Sequence, residues 1–241
     1  LPDLAELLGS WKLSLRAERK SPATVAAYSE GVLAFLRWCA DTGTPTELTR
    51  TTVQTFTAAL LDNGAEPATA RSRHNSLRRF AAWLADEGEL DRNPLLELKP
   101  PKLDTKVTAA LTDEQLKRLI KACQGKDFQD RRDEAIVRLM AETGLRAGEL
   151  LGMDVSDVKP QDGLATVRRG KGGKGRVVPF GPQTATAVDR YLRYRRTHRL
   201  ANTGELWLGG GGRTFRYHGL NVALKRRAQD AGIDKFHLHL L

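Results

Sequence analysis

The sequence predicts a mainly α-helical protein in two parts: an all-helical first part, and a mixed α/β second part with a small antiparallel β-hairpin. Three observations lead there. Apolar residues recur at helical spacing through most of the chain, as in Val25, Tyr28, Val32, Phe35 and Leu36. The segment "NPLLELKPPKLDTKV" (residues 93–107) breaks that period, with Pro94, Pro100 and Pro101, three lysines and no glycine. Further on, "DGLATVRRGKGGKGRVVPF" reads as strand, glycine-rich turn and strand.

The elements follow in order. Residues 1–98 read as short helices. Ser21 is a natural N-cap, Pro22 fits a first turn where its missing N–H costs nothing, and Gly43 ends the run. A second helix covers "TRTTVQTFTAALLDNG" and stops at Asn63-Gly64. A third covers "ATARSRHNSLRRFAAWLADEG", with Leu77, Phe80, Ala81 and Leu84 as its apolar stripe. The proline pair favours extended, semi-rigid chain, so residues 99–107 are expected to link two domains, 1–98 and 108–241. The second domain opens on a helix capped by Thr112, with acids in its first turn. A helix over "DRRDEAIVRLMAETG" comes next, with Ile136, Leu139 and Met140 inward. The hairpin arms are expected at 164–169 and 176–180, followed by helices around 187–199 and 215–231.

Composition narrows the function. The net charge of +10 is unevenly spread: residues 1–98 carry 11 Lys+Arg against 13 Asp+Glu, and residues 99–241 carry 28 against 16. A basic second half fits a polyanionic partner, and nucleic acid is the commonest, since each neutralised phosphate releases counterions. There is no run of about 18 apolar residues and no signal-like start, which excludes a helical membrane span and points to the cytoplasm. Cys39 and Cys123 lie in helical apolar patterns and read as buried thiols in a reducing compartment.

Four groups of residues could carry chemistry. In "AETGLRAGELLGMDV", Thr143-Gly144 ends one helix and "RAGELL" starts another, placing Arg146 near a helix N-terminus. A guanidinium there offers a fork of donors for two phosphate oxygens, or a salt bridge to Glu149 at i+3. The hairpin turn "RGKGGKGR" presents Lys171 and Lys174 among four glycines; either lysine could protonate a leaving oxygen or neutralise a phosphate, and Arg176 follows on the second arm. Arg71, His74 and Arg78 fall at i, i+3 and i+7 beside the core stripe of their helix, as a solvated face or a phosphate-contacting edge. In "DKFHLHLL", His237 and His239 lack the carboxylate or cysteine partners of a metal site, so no metal and no cofactor is expected.

The order of these elements is distinctive: "TGLRAGEL", then "GKGGKGRVVP", then a histidine segment after two helices. In it the second half resembles the catalytic domain of the tyrosine recombinases, the phage integrase family, and the first hundred residues look like that family's helical core-binding (SAM-like) domain. The resemblance implies a site-specific DNA recombinase that cuts and rejoins duplex DNA through a 3′-phosphotyrosyl link, acting as a tetrameric synapse. It implies that Arg146 clamps the scissile phosphate and that Lys171 is the general acid, with Lys174 as its rival. His239-Leu240-Leu241 matches the start of the family's His-x-Leu-Arg-His motif. DNA contacts are expected from Arg71, His74, Arg78, Lys174 and Arg176. The second arginine, the later His or Trp and the nucleophilic tyrosine are expected beyond residue 241, so residues 1–241 alone are expected to bind DNA without cleaving it. A type IB topoisomerase shares the phosphate chemistry, and a DNA-binding accessory factor shares the charge; a downstream Arg-His pair and tyrosine in the parent reading frame separate the recombinase from the accessory factor.

Overall fold

The computed structural model describes residues 3–103, 110–168, 170 and 174–241. It divides into two compact units, Leu1–Lys106 and Val107–Leu241, each with its own apolar core.

The first unit holds four helices: α1 (Leu4–Ala17), α2 (Pro22–Thr42), α3 (Arg50–Asp62) and α4 (Pro67–Asp86). Their ends follow local chemistry. The Ser21 hydroxyl accepts from the Thr24 N–H to start α2, and Gly43 ends it in the left-handed region at φ 67°. Asp3 caps α1 through the N–H groups of Ala5 and Glu6. Leu4, Leu8, Trp11 and Leu15 of α1 are buried, at a spacing that makes one helix face. Trp11 meets Phe80 of α4 at 4.9 Å, tying the first helix to the last. Leu95 and Leu98 are buried in the same core, and Arg71 donates to the Pro101 carbonyl at 3.4 Å. The start of the expected linker is thus held to the first unit, while residues 104–107 of it lie outside the described residues.

The second unit comprises α5 (Asp113–Cys123), α6 (Phe128–Thr143), α7 (Ala147–Leu151), a sheet of β1 (Val158–Lys159), β2 (Leu164–Val167) and β3 (Arg176–Pro179), then α8 (Pro182–Arg195) and α9 (Tyr217–Asp230). The strands run antiparallel in the order β1-β2-β3, with Ala165 opposite Val178 and Val167 opposite Arg176. Among the described residues the expected hairpin is therefore part of a three-stranded sheet, and its first arm ends by Val167. The reason is Arg168: its guanidinium turns back to Asp157 (2.7 Å), Asp154 (2.9 Å) and Ser156 (3.0 Å), pinning the strand end to the turn before β1. α8 starts five residues before the expected 187, because Pro182 sets the first helical φ.

Buried charges fix the frame around the site. Asp133 of α6 is fully buried and accepts from Arg132 and from Arg227 of α9, while Arg227 also reaches Asp130 at 2.7 Å. Arg132 stacks over the Phe215 ring at 4.0 Å. Arg195 of α8 donates to the carbonyls of Ala201, Thr203, Glu205 and Leu206, and so folds the loop that follows. Trp207 on that loop donates to the Leu150 carbonyl at 3.0 Å, bracing α7 from behind.

Candidate functional site

α6 ends at Gly144, left-handed at φ 62°, and the chain turns through buried Leu145 to Arg146. Arg146 is the N-cap residue of α7, in extended conformation. The α7 helix is a single turn, and the Glu149 side chain accepts the Arg146 N–H at 3.0 Å. A helix dipole at Arg146 is consequently small, and the guanidinium is what remains available to an anion.

Glu149 organises the site. Its side chain is 6% exposed. It accepts from both terminal nitrogens of Arg176, at 2.9 and 2.8 Å, and from Arg146 Nη1 at 3.2 Å. The Arg176 hydrogen bonds hold its carboxyl down at about 2; burial opposes this, and the Arg146 N–H adds to it. A carboxylate fixed in this way bridges α7 to β3 and sets the Arg146 side chain, which stays 58% exposed, beside the hairpin. Both openings in the sequence are realised together: Arg146 makes the i+3 salt bridge and still presents its guanidinium to solvent.

The hairpin approaches this pair closely. The Gly170 N–H donates to the Lys174 carbonyl at 2.8 Å across the turn. A Cβ at Gly170 would lie 2.8 Å from that carbonyl, 2.9 Å from Arg176 Nη1 and 3.2 Å from Glu149 Oε1, so only glycine fits. The Lys174 side chain is exposed; Lys171 lies outside the described residues.

Both ends of the Arg176 fork pair with Glu149, the carboxylate that also holds Arg146. His239 sits in the one-turn helix Leu238–Leu240 and faces solvent, while Leu238 packs in the core that also holds Leu145 and Leu150. Among the described residues no hydrogen bond or ion pair joins His239 to Arg146.

In the first unit the residues of the expected basic stripe differ in their surroundings. His74 is 2% exposed, its Nδ1 lies 3.3 Å from the Thr57 hydroxyl, and burial lowers its pKa. Arg78 donates to the carbonyls of Leu95 (3.2 Å) and Leu96 (2.9 Å), anchoring the segment after α4. Arg78 also lines, with Tyr28, Ser72, Asn75 and Arg79, a concavity of about 470 Å³ that opens to solvent, with Arg79 5.4 Å over the Tyr28 ring. The sequence marked the helix correctly, but the burial of His74 needs α3 against α4, which spacing does not show.

In the sequence Glu149 is legible only as an i+3 partner for Arg146, and no local signal marks Arg168. The signal for Glu149 was its i+3 position; nothing local pairs it with Arg176, 27 residues on.

Comparison with known proteins agrees with this layout. Residues 109–241 match the profile of the phage integrase family, and residues 8–88 match that of the phage integrase N-terminal SAM-like domain. Tyrosine recombinase XerC of Haemophilus influenzae is 34% identical, over 75% of this chain and 62% of that protein. The XerC of Chlorobaculum tepidum is 30% identical, over 78% and 63%. The chain thus spans a little over three-fifths of the length of these relatives. In fold it resembles a lambda integrase tetramer bound to a Holliday junction, with a TM-score of 0.71 at 16% identity, over 100% of this chain and 70% of that one. With one family profile covering more than half of its residues and a second covering most of the remainder, this chain is a member of the phage integrase family.

Proposed function

We propose that the chain forms the DNA-binding and phosphate-activating part of a site-specific recombinase that cuts and rejoins duplex DNA. The observation that carries this reading is the Arg146 guanidinium, oriented by a buried carboxylate that Arg176 holds ionised, and left open to solvent beside a lysine-bearing hairpin. A fork held in that way suits two non-bridging phosphate oxygens, whose charge grows in the transition state. Attack by a tyrosine hydroxyl would form a 3′-phosphotyrosyl ester, and the 5′ oxygen would leave with a proton. We assign that proton to Lys171, with Lys174 as the alternative. His239 would add a further donor to the phosphate. Keeping the bond energy in the ester allows rejoining without a nucleotide cofactor.

Tyr191 is unsuited to the attack: its hydroxyl donates to the Leu206 carbonyl at 2.9 Å, and burial pushes its pKa up to about 12. The first unit is assigned the core-binding role, with residues 99–107 as the link. DNA would lie against the exposed side of α4, where Arg78, Arg79, Asn75 and Ser72 line the concavity. Assembly into a tetramer on DNA is proposed from the lambda integrase likeness and the XerC relatives. The test is Arg146→Ala in the protein expressed from its natural reading frame. Strand cleavage should disappear while duplex affinity stays within about tenfold; normal cleavage overturns the assignment.

A further inference from the structure

α6 and α8 pack side by side, and at one end their outer faces enclose a cleft of about 390 Å³. Its lining is Arg131 from α6, Arg190, Arg193 and Tyr194 from α8, and Thr197 from the turn that follows. The α8 residues stand at i, i+3 and i+4, so they share one face. Arg131 is twelve residues before Thr143, the last of α6, which puts ~18 Å of helix between the cleft and the turn to Arg146. The cleft is separate from the phosphate site.

Its cations are under-compensated. Arg193 meets Asp189 at 3.2 Å, but Arg131 and Arg190 have no acidic partner among the described residues. Arg131 Nε is buried with no acceptor at all. The accessible groups are the exposed Arg190 and Arg193, whose guanidinium forks suit carboxylate oxygens. Tyr194 is 41% exposed at the cleft, and Tyr with Arg is the pairing concentrated where proteins bind one another.

The complementary surface is on the same chain. The turn after α4 reads "DEGELD", and Asp86, Glu87, Glu89 and Asp91 are all exposed, with no ion pair among the described residues. Gly88, left-handed at φ 80°, shapes the turn. We propose that the α6–α8 arginine cleft receives the acidic turn Asp86–Asp91 of a second copy of this chain, so that copies associate head to tail through carboxylate–guanidinium pairs. A contact of this kind uses two different surfaces and closes into a ring only if the rotation between copies allows it. The acidic turn is a better match than a DNA backbone because its own four carboxylates are exposed without an ion pair among the described residues, so the contact compensates both surfaces.

The proposal is independent of the recombinase reading, because its test needs no DNA. Sedimentation equilibrium at low salt would compare the native chain with a cleft variant, Arg190→Glu/Arg193→Glu, and a turn variant, Glu87→Arg/Glu89→Arg. The native chain should self-associate, and more weakly as salt screens the pairs. Each variant alone should lose at least about tenfold in association, and an equimolar mixture of the two should associate again, since each reversed surface then meets its complement. Circular dichroism checks that both variants fold; should either not, Arg190→Gln/Arg193→Gln and Glu87→Gln/Glu89→Gln replace them and must each weaken association. A monomeric native chain, or a mixture that stays monomeric, overturns the proposal. So does a cleft variant that loses duplex affinity with unchanged self-association, which would assign the cleft to DNA.

Discussion

Arg176 grips Glu149 with both of its terminal nitrogens, at 2.9 and 2.8 Å, and thereby ties the first residue of β3 to the single turn of α7. The strand that carries the lysine hairpin and the helix that carries Arg146 share one buried carboxylate. Several consequences of that link, and of the neighbouring packing, can be measured.

Glu149→Gln should keep the shape of the pair but remove its charge, leaving Arg176 facing a neutral amide. A loss of ~1–3 kcal/mol in urea unfolding of the second unit is expected, with cleavage slowed through a misplaced Arg146. A variant as stable and as active as the native chain would show that Glu149 positions nothing.

The same residue predicts an acid response. The folded carboxyl sits at about 2, below the ordinary 4.5. Between those values the unfolded chain binds more protons than the folded one. The stabilisation is therefore complete above about 4.5 and lost as pH falls towards about 2. Melting temperatures of the native chain should fall across that window, and those of Glu149→Gln should fall less steeply. Parallel curves would contradict the linkage.

Gly170→Ala should disturb the hairpin turn, because its Cβ would meet the Lys174 carbonyl at 2.8 Å and Arg176 Nη1 at 2.9 Å. Relief by moving the turn costs about 1–3 kcal/mol and displaces the lysines. The measurements are a thermal melt and a cleavage rate, and no change in either would show that the close approach is not maintained in solution.

In the first unit, burial holds the His74 pKa below 6.5, against a weaker upward pull from the Leu98 backbone and with Arg78 adding to the fall. The unfolded histidine protonates first, so the stability tied to His74 is whole above about 6.5 and is lost as pH drops below it. Its ring proton chemical shifts, followed by NMR, should titrate below 6.5; titration at or above that value would show an open, solvated ring.

The general acid can be separated from its rival chemically. Lys171→Ala should slow cleavage of ordinary DNA and be rescued by a 5′-bridging phosphorothiolate, whose sulfur leaves without a proton. Rescue of Lys174→Ala, and not of Lys171→Ala, would transfer the role to Lys174.

Much was legible from local chemistry. Ser21, Pro22 and Gly43 bound α2 where capping and φ require, and Gly144 ends α6 just before Arg146. The helical spacing of Leu77, Phe80, Ala81 and Leu84 marks the buried face of α4. The extra strand β1 was not legible, because two residues carry no period. Nor was the early end of β2, which depends on Arg168 finding Asp154 and Asp157 eleven or more residues back.

By itself the sequence determined the helix ends, the two-part division, the charge of the second half and the order of Arg146, the lysine turn and His239. Those features act within a few residues or add up along the chain, so spacing records them. Only the tertiary structure decided which cations remain free. Arg176 is paired with Glu149, Arg78 holds backbone carbonyls at the edge of an open concavity, His74 is buried, and Arg146 is both paired and open. A charged side chain takes its role from the acceptors it meets in space, and here these lie 27 residues away for Arg176, at the Glu149 carboxylate, and 18 for Arg78, at the Leu96 carbonyl.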